Sequence, residues 1–275
     1  MNQVLDNRYL ENFQRLALGL EPIDAMRLHR VGPPLRIEVE RPPKAAAKPP
    51  VLRHASCLHA LLYYPALVDS VDIRIFEGYP LFEPSLLESP QLLPRRFVPR
   101  RFRIPLHTAA TVDTFPYTDR VRRPFVFPAA AYDLDSCATG VRGRVLRSGK
   151  PMRWARVEAA LPGGGKVVGR AHGDDRGEFL LLIGPEAIPV GDLVSPINLA
   201  VTVAGPATIP VPATPDLPSL DPLWDVPQEI PPAPGVLDKV STGETPPANY
   251  TAKAVRNIDF FLGELRSELT AFTIV

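Results

Sequence analysis

The chain has 275 residues, a net charge of +1 and 45% hydrophobic residues, enough for one large domain or two small ones, each with its own core. The near-neutral balance excludes overall charge as a reason to bind nucleic acid or a membrane surface. The 34 prolines, more than twice the average usage of roughly 5%, oppose long helices and central strands over most of the chain.

Residues 1–29 read as an N-terminal helical segment. Leu5, Tyr9, Phe13, Leu16 and Leu20 fall at helical spacing on one stripe, and Pro22 ends it. The stripe serves either to pack on the chain's own sheets or to dock on a neighbouring subunit. Asp6, Arg8, Glu11 and Arg15 break the apolar core that an export signal needs. No apolar run reaches the roughly 18 residues of a spanning helix. The expectation is a soluble, cytoplasmic protein with no membrane span, in which Cys57 and Cys137 are free thiols.

Residues 30–135 carry short alternating runs separated by proline-rich turns, the pattern of a first β-sandwich. Residues 35–40 (LRIEVE) alternate cleanly, and 41–50 (RPPKAAAKPP) is an exposed loop. Strands follow over 51–64 and 70–76, the second placing Val71, Ile73 and Ile75 on one face. Residues 97–106 read as an edge strand, since Pro99 and Pro105 cannot donate to a full ladder. Another strand falls within 121–132.

Residues 136–204 form the second unit. Val141, Val145, Val157 and Ala159 point inward by period two, 161–166 (LPGGGK) and 173–177 (GDDRG) are turns, and 178–183 (EFLLLI) is a buried strand. Gly143-Arg144-Val145, Pro151, Ala155-Arg156-Val157, Gly163 to Gly165 and Asp174-Asp175-Arg176-Gly177-Glu178-Phe179 follow one another in the order of a known family. On these residues the stretch resembles the carboxypeptidase regulatory-like domain, a small transthyretin-like β-sandwich, with Gly173 where that family carries Thr. The resemblance implies a non-catalytic accessory or adhesion module.

Residues 198–203 (NLAVTV) make a further strand. Residues 205–250 are a proline-rich arm whose apolar residues, Leu223 and Trp224 among them, are too many for a solvated linker, so the arm lies on a surface, its own or a neighbour's. Residues 251–275 read as a closing β-hairpin of NIDFFLG and ELTAFTIV, with a helix over 252–269 as the rival.

No catalytic constellation stands out. His54, Cys57 and His59 are the right ligand types for zinc, but in an extended strand residue 54 points away from 57 and 59. Asp174, Asp175 and Glu178 offer calcium-type oxygens but are ordinary turn formers. Gly163 to Lys166 lacks phosphate-loop spacing. Ser148, Ser195 and Ser219 sit in no nucleophile elbow, and His107 and His172 have no recognisable partners. The expectation is no enzyme, no metal and no cofactor. The strongest charge excess is Arg95, Arg96, Arg100, Arg101 and Arg103 with Arg120, Arg122 and Arg123, interleaved with phenylalanines. This suits a protein interface better than nucleic acid, and the acidic arm (Asp216, Asp221, Asp225, Glu229, Asp238) is its natural partner within or between chains.

The whole reads as a mainly β chain of two β-sandwiches (Ig-like or transthyretin-like): a structural protein–protein interaction module, a homo-oligomer or hetero-complex subunit of a larger assembly. By architecture it is similar to accessory cap or adaptor components of phage-tail-like contractile injection particles. The expected interface comprises Leu5, Tyr9, Phe13, Leu16, Arg95, Arg96, Arg100, Arg101, Leu223, Trp224, Phe260 and Phe261. The competing reading is a sandwich that binds peptide or carbohydrate through its end loops, with Trp154 and Trp224 as its only tryptophans.

Overall fold

The computed structural model describes residues 15–32, 35–40, 51–63, 69–77, 95–108, 110–134, 137–184, 187, 196–235, 247, 249–267 and 272–274. The fold is mainly β, built from several sheets. The first nine strands are β1 (Leu16–Leu20), β2 (Ile23–Asp24), β3 (Leu35–Val39), β4 (Val51–Arg53), β5 (His59–Leu62), β6 (Ser70–Glu77), β7 (Arg100–Pro105), β8 (Val121–Arg122) and β9 (Phe125–Val126). One sheet runs β4-β5-β1-β8, a second holds β3, β6 and β7 side by side, and β2 pairs with β9. Alternation does its expected work in β3 and β6. Leu35, Ile37 and Val39 enter the same core as Val71, Ile73 and Ile75, while Arg36, Glu38, Asp72 and Arg74 stay half-exposed.

Two expectations for this half are corrected. The end of the N-terminal helix, from Leu16 onward, is strand β1; residues 1–14, with Leu5, Tyr9 and Phe13, lie outside the described residues. LALGL is apolar on both faces, and β1 is buried between β5 and β8, with Ala17, Leu18 and Leu20 in the core. A helix there would have had no polar face, and Gly19 disfavours one. Nor is β7 an edge strand: it lies between β6 and a two-residue strand of the arm. Its prolines bracket the ladder instead of interrupting it, Pro99 just before β7 and Pro105 at its last residue.

The remaining elements are β10 (Gly140–Arg147), β11 (Lys150–Pro151), β12 (Arg156–Ala160), β13 (Val167–His172), β14 (Glu178–Leu182), β15 (Ile197–Gly205), the single-turn helix α1 (Leu217–Leu220), β16 (Gln228–Glu229), β17 (Ala252–Phe260), β18 (Leu265–Ser267) and β19 (Phe272–Ile274). One sheet has the order β13-β12-β15-β17; the other runs β11-β10-β14, with β18 and β19 parallel to β10. Val141, Val145, Val157 and Ala159 all point inward, joined by Leu199, Val201, Ile258 and Phe260 in one core between these sheets.

The expected C-terminal hairpin is also corrected. Its segments are strands, but β17 pairs antiparallel with β15, whereas β18 and β19 pair with β10 in the other sheet. Alternation identifies strands without naming their partners, and a crossing between facing sheets leaves no local signal. The run EFLLL has a physical explanation of the same kind. Phe179 and Leu181 enter the core just described, while Leu180 and Leu182 belong to the core of the first half. β14 is therefore buried on both faces, which is why it reads as a continuous apolar run.

Glycine is required at two points of the family-like motif. Gly143 lies opposite Phe179 across β10 and β14, and a Cβ there would come within 2.6 Å of the ring. Gly177 has φ +71°, and its would-be Cβ lies 2.7 Å from the Val145 carbonyl oxygen. Between β13 and β14, Asp174 is fully buried and its Oδ1 accepts the backbone N–H groups of Arg176 (2.8 Å) and Glu178 (2.9 Å), fixing the turn.

Candidate functional site

The arm leaves β15 and returns to β17, and Gly205 and Ala252 are paired at the end of that hairpin. Between them it crosses to the first half. Residues Gln228–Glu229 add a parallel strand beside Arg101 and Phe102 of β7. Leu223 and Val226 pack with Val98, Ala129 and Trp154 in a small separate cluster. The described part of the arm thus lies on its own body.

Arginines hold it there. Arg74 Nη1 donates to Asp221 Oδ2 at 2.6 Å. Arg153 grips Asp225 with two parallel bonds of 2.7 and 2.6 Å and donates to the Pro222 carbonyl as well. Arg100, only 2% exposed, donates through Nη2 to Glu229 Oε2 at 2.6 Å and through Nη1 to the Phe125 carbonyl, also at 2.6 Å. Arg156 reaches the other oxygen of Glu229 at 3.1 Å and bonds the Trp154 carbonyl. Glu229 therefore bridges two buried guanidinium groups, one from each half of the molecule, its single charge offsetting one of their two.

His172 completes this cluster. It is fully buried and stacks on Phe127 with ring centroids 3.8 Å apart. Burial, then the neighbouring Arg156 charge, hold its pKa well below the usual imidazole range, so it is neutral here. Tyr250 donates to the Trp154 carbonyl at 2.8 Å, and burial pushes its phenol up to about 12. A pocket of about 110 Å³ opens beside the cluster, lined by Arg156, Glu158, Arg170, His172, Thr202 and Lys253 among others. Arg170 already donates to Glu158 at 3.0 Å. The arrangement holds the arm to both halves through buried charge pairs.

The arginines singled out by sequence are mostly engaged within the chain. Arg95 pairs with Asp175 at 2.5 Å, Arg101 with Glu40 at 2.5 Å, Arg103 with Asp72 at 2.8 Å and Arg123 with Glu21 at 2.6 Å. Arg96 lies over the Phe97 ring, Arg120 donates to the Leu16 carbonyl, and Arg122 donates to the Asp119 carbonyl. Three of the expected interface residues are instead interior: Arg100 in the clasp, Leu223 in the cluster under the arm, and Phe260 in the second core. Leu16 is half-buried in β1, and Trp224 is half-buried; Phe261 is 45% exposed. Trp154 is interior as well, 2% exposed.

The other candidates are dispersed. His54 contacts Ser56 in the β4–β5 turn, Cys57 has φ +64° in the same turn, and His59 is buried in β5. Among the described residues no three His, Cys, Asp or Glu side chains gather as a metal site. Asp174 and Glu178 both bond Arg176. Ser148 occupies the β10–β11 turn, Ser219 lies in α1, and Ser195 is outside the described residues. His107 stacks on Phe115. Sequence reasoning missed Arg153 and Arg156 as binders of the arm; their position beside Trp154 was the available signal, an arginine–aromatic grouping like the one noted at 95–103.

No family model matches the chain, and no curated protein matches it. A solved structure titled "The Bacillus anthracis TIE protein" aligns with 95% of this chain and 34% of its own length, at 11% identity and a TM-score of 0.25. The chain thus spans about a third of that protein, and a likeness at this score carries no argument about fold or function. Among the described residues, no helix is long and apolar enough to cross a membrane.

Proposed function

We propose that the chain is a non-catalytic structural component of a larger protein assembly. In this reading it is two β-sandwich modules, the second of the carboxypeptidase regulatory-like, transthyretin-like kind, welded together by the arm. The observation that carries it is the two-sidedness of the arm. Its inner side is committed to the body through Leu223, Val226, Asp225 and Glu229, while Ile209, Val211, Leu220 and Ile230 are exposed by 53, 83, 80 and 76%. Four large apolar side chains held in the open on an anchored segment are what a docking surface needs, because little ordering entropy remains to be lost on binding. A cap or adaptor position in a phage-tail-like contractile injection particle is one setting for such a part.

The reading favours a protein partner over a glycan, since Trp154 is interior. The test is site-specific photocrosslinking in the source cell from Val211 and Leu220, with Lys150, exposed at the start of β11, as the control. The expected result is one and the same protein adduct from both arm positions and none from the control. No adduct from either arm position overturns the reading.

A further inference from the structure

We infer that the outer edge of β17 is a self-pairing site, at which a second copy of this chain adds its own β17 antiparallel. The two facing sheets of the second half end differently on their two sides. On one side β13 and β14 approach each other, and the Gly184 N–H donates to the Val168 carbonyl at 2.8 Å, closing the seam. On the other side β17 is the last strand of its sheet, and among the described residues no strand pairs with its outer edge, where the Asp259 carbonyl accepts a side-chain bond from Arg266 Nη1 at 2.8 Å. It runs nine residues, Ala252–Phe260, all in register with β15. Alternate residues of an antiparallel edge strand turn N–H and C=O groups outward, so β17 presents a ladder long enough to template another strand.

Its side chains select the occupant. Lys253, Val255, Asn257 and Asp259 are all exposed, Val255 by 64%. In a two-fold antiparallel pairing centred on Arg256, Lys253 of each copy lies opposite Asp259 of the other, and Val255 lies opposite Asn257. Both ends of the ladder then carry an opposite-charge pair, while a strand without an acid at that spacing leaves Lys253 unmatched. The two Arg256 side chains meet at the centre, and each already lies over Phe272 of its own chain at 5.8 Å. Charged edge residues normally discourage pairing; here they restrict it to a partner of complementary pattern, and β17 itself has that pattern. The inference stands on residues separate from the exposed arm.

The test uses the full chain. Sedimentation equilibrium from about 1 to 100 µM is expected to show reversible dimerisation with a micromolar constant. Lys253→Glu alone and Asp259→Lys alone, both at exposed positions, should each weaken the dimer about tenfold or more, since each creates two like-charge pairs. The double reversal K253E/D259K should restore it to within about threefold of the native chain. Amide exchange across 252–260 should slow as concentration rises. A chain monomeric at 100 µM overturns the inference, as does a dimer that both single reversals leave unchanged. Either result leaves the crosslinking test of the arm intact.

Discussion

Glu229 is the residue on which most depends. It is 8% exposed and sits between Arg100 and Arg156 at 2.6 and 3.1 Å. Removing one member of a buried ionic group leaves the others charged in a poor solvent, which costs more than the group itself contributes. Glu229→Ala is expected to lower stability by about 3–5 kcal/mol in urea unfolding. Glu229→Gln, which keeps an acceptor for one arginine, should cost clearly less. Equal losses for the two variants would mean that the charge both of them remove, and not packing or the retained acceptor, holds the arm at this point. The sequence displayed both partners, an acidic arm and an arginine band, but not their pairing. Charge excess is a property of composition, whereas the contact depends on a crossing of more than a hundred residues, from Arg100 to Glu229.

At the level of elements, strands were legible wherever one face was wet. β3 and β6 could be read from alternation because Arg36, Glu38, Asp72 and Arg74 mark the outer face. β1 and β14 lack that contrast: both are apolar on both faces, which left β1 open to a helical reading. The turn chemistry between β13 and β14 was legible in kind, as the Asp174 carboxylate accepts the turn's N–H and Gly177 takes its positive φ. The β10–β14 pair allows a quantitative check. Gly143→Ala places a methyl within 2.6 Å of the Phe179 ring, in a core with Phe179 fully buried. Overpacking of this sort is expected to cost about 1–3 kcal/mol. Thermal unfolding of Gly143→Ala measures it, and Phe179→Leu in the same background should recover part of the loss. An unchanged melting temperature for Gly143→Ala would show that the ring has room to move aside.

For the molecule as a whole, two buried histidines set an acid limit. His59 is lowered by burial and then by Arg53, with the Cys57 backbone acting the other way, and His172 is lowered further by burial and Arg156. A histidine whose folded pKa lies below its unfolded value binds its proton preferentially in the unfolded chain. Stability is then constant above the ordinary value of 6.5 and falls as pH drops below it. The melting temperature is therefore expected to be level from pH 7 to 8 and to decline between about pH 6.5 and 5. His172→Phe, which removes the titrating ring beside Phe127, should flatten part of that decline. A native chain equally stable at pH 5 and pH 7.5 would contradict this account.

The late arrival of β17, β18 and β19 has a consequence for biosynthesis. β10 emerges early in the second half, yet its parallel neighbours are Leu265–Ser267 and Phe272–Ile274, more than a hundred residues later. β15 likewise waits for β17, and the arm between them lies beside β7 in the finished fold. Contacts of such long separation make folding slow, because loop entropy is lost before the contacts repay it. Until residues 252–274 have been made, β10 and β15 each have an open edge, and the nascent chain is most exposed to mispairing at that stage. A neighbour or chaperone that shields those edges during synthesis would act before the native surface of the protein exists.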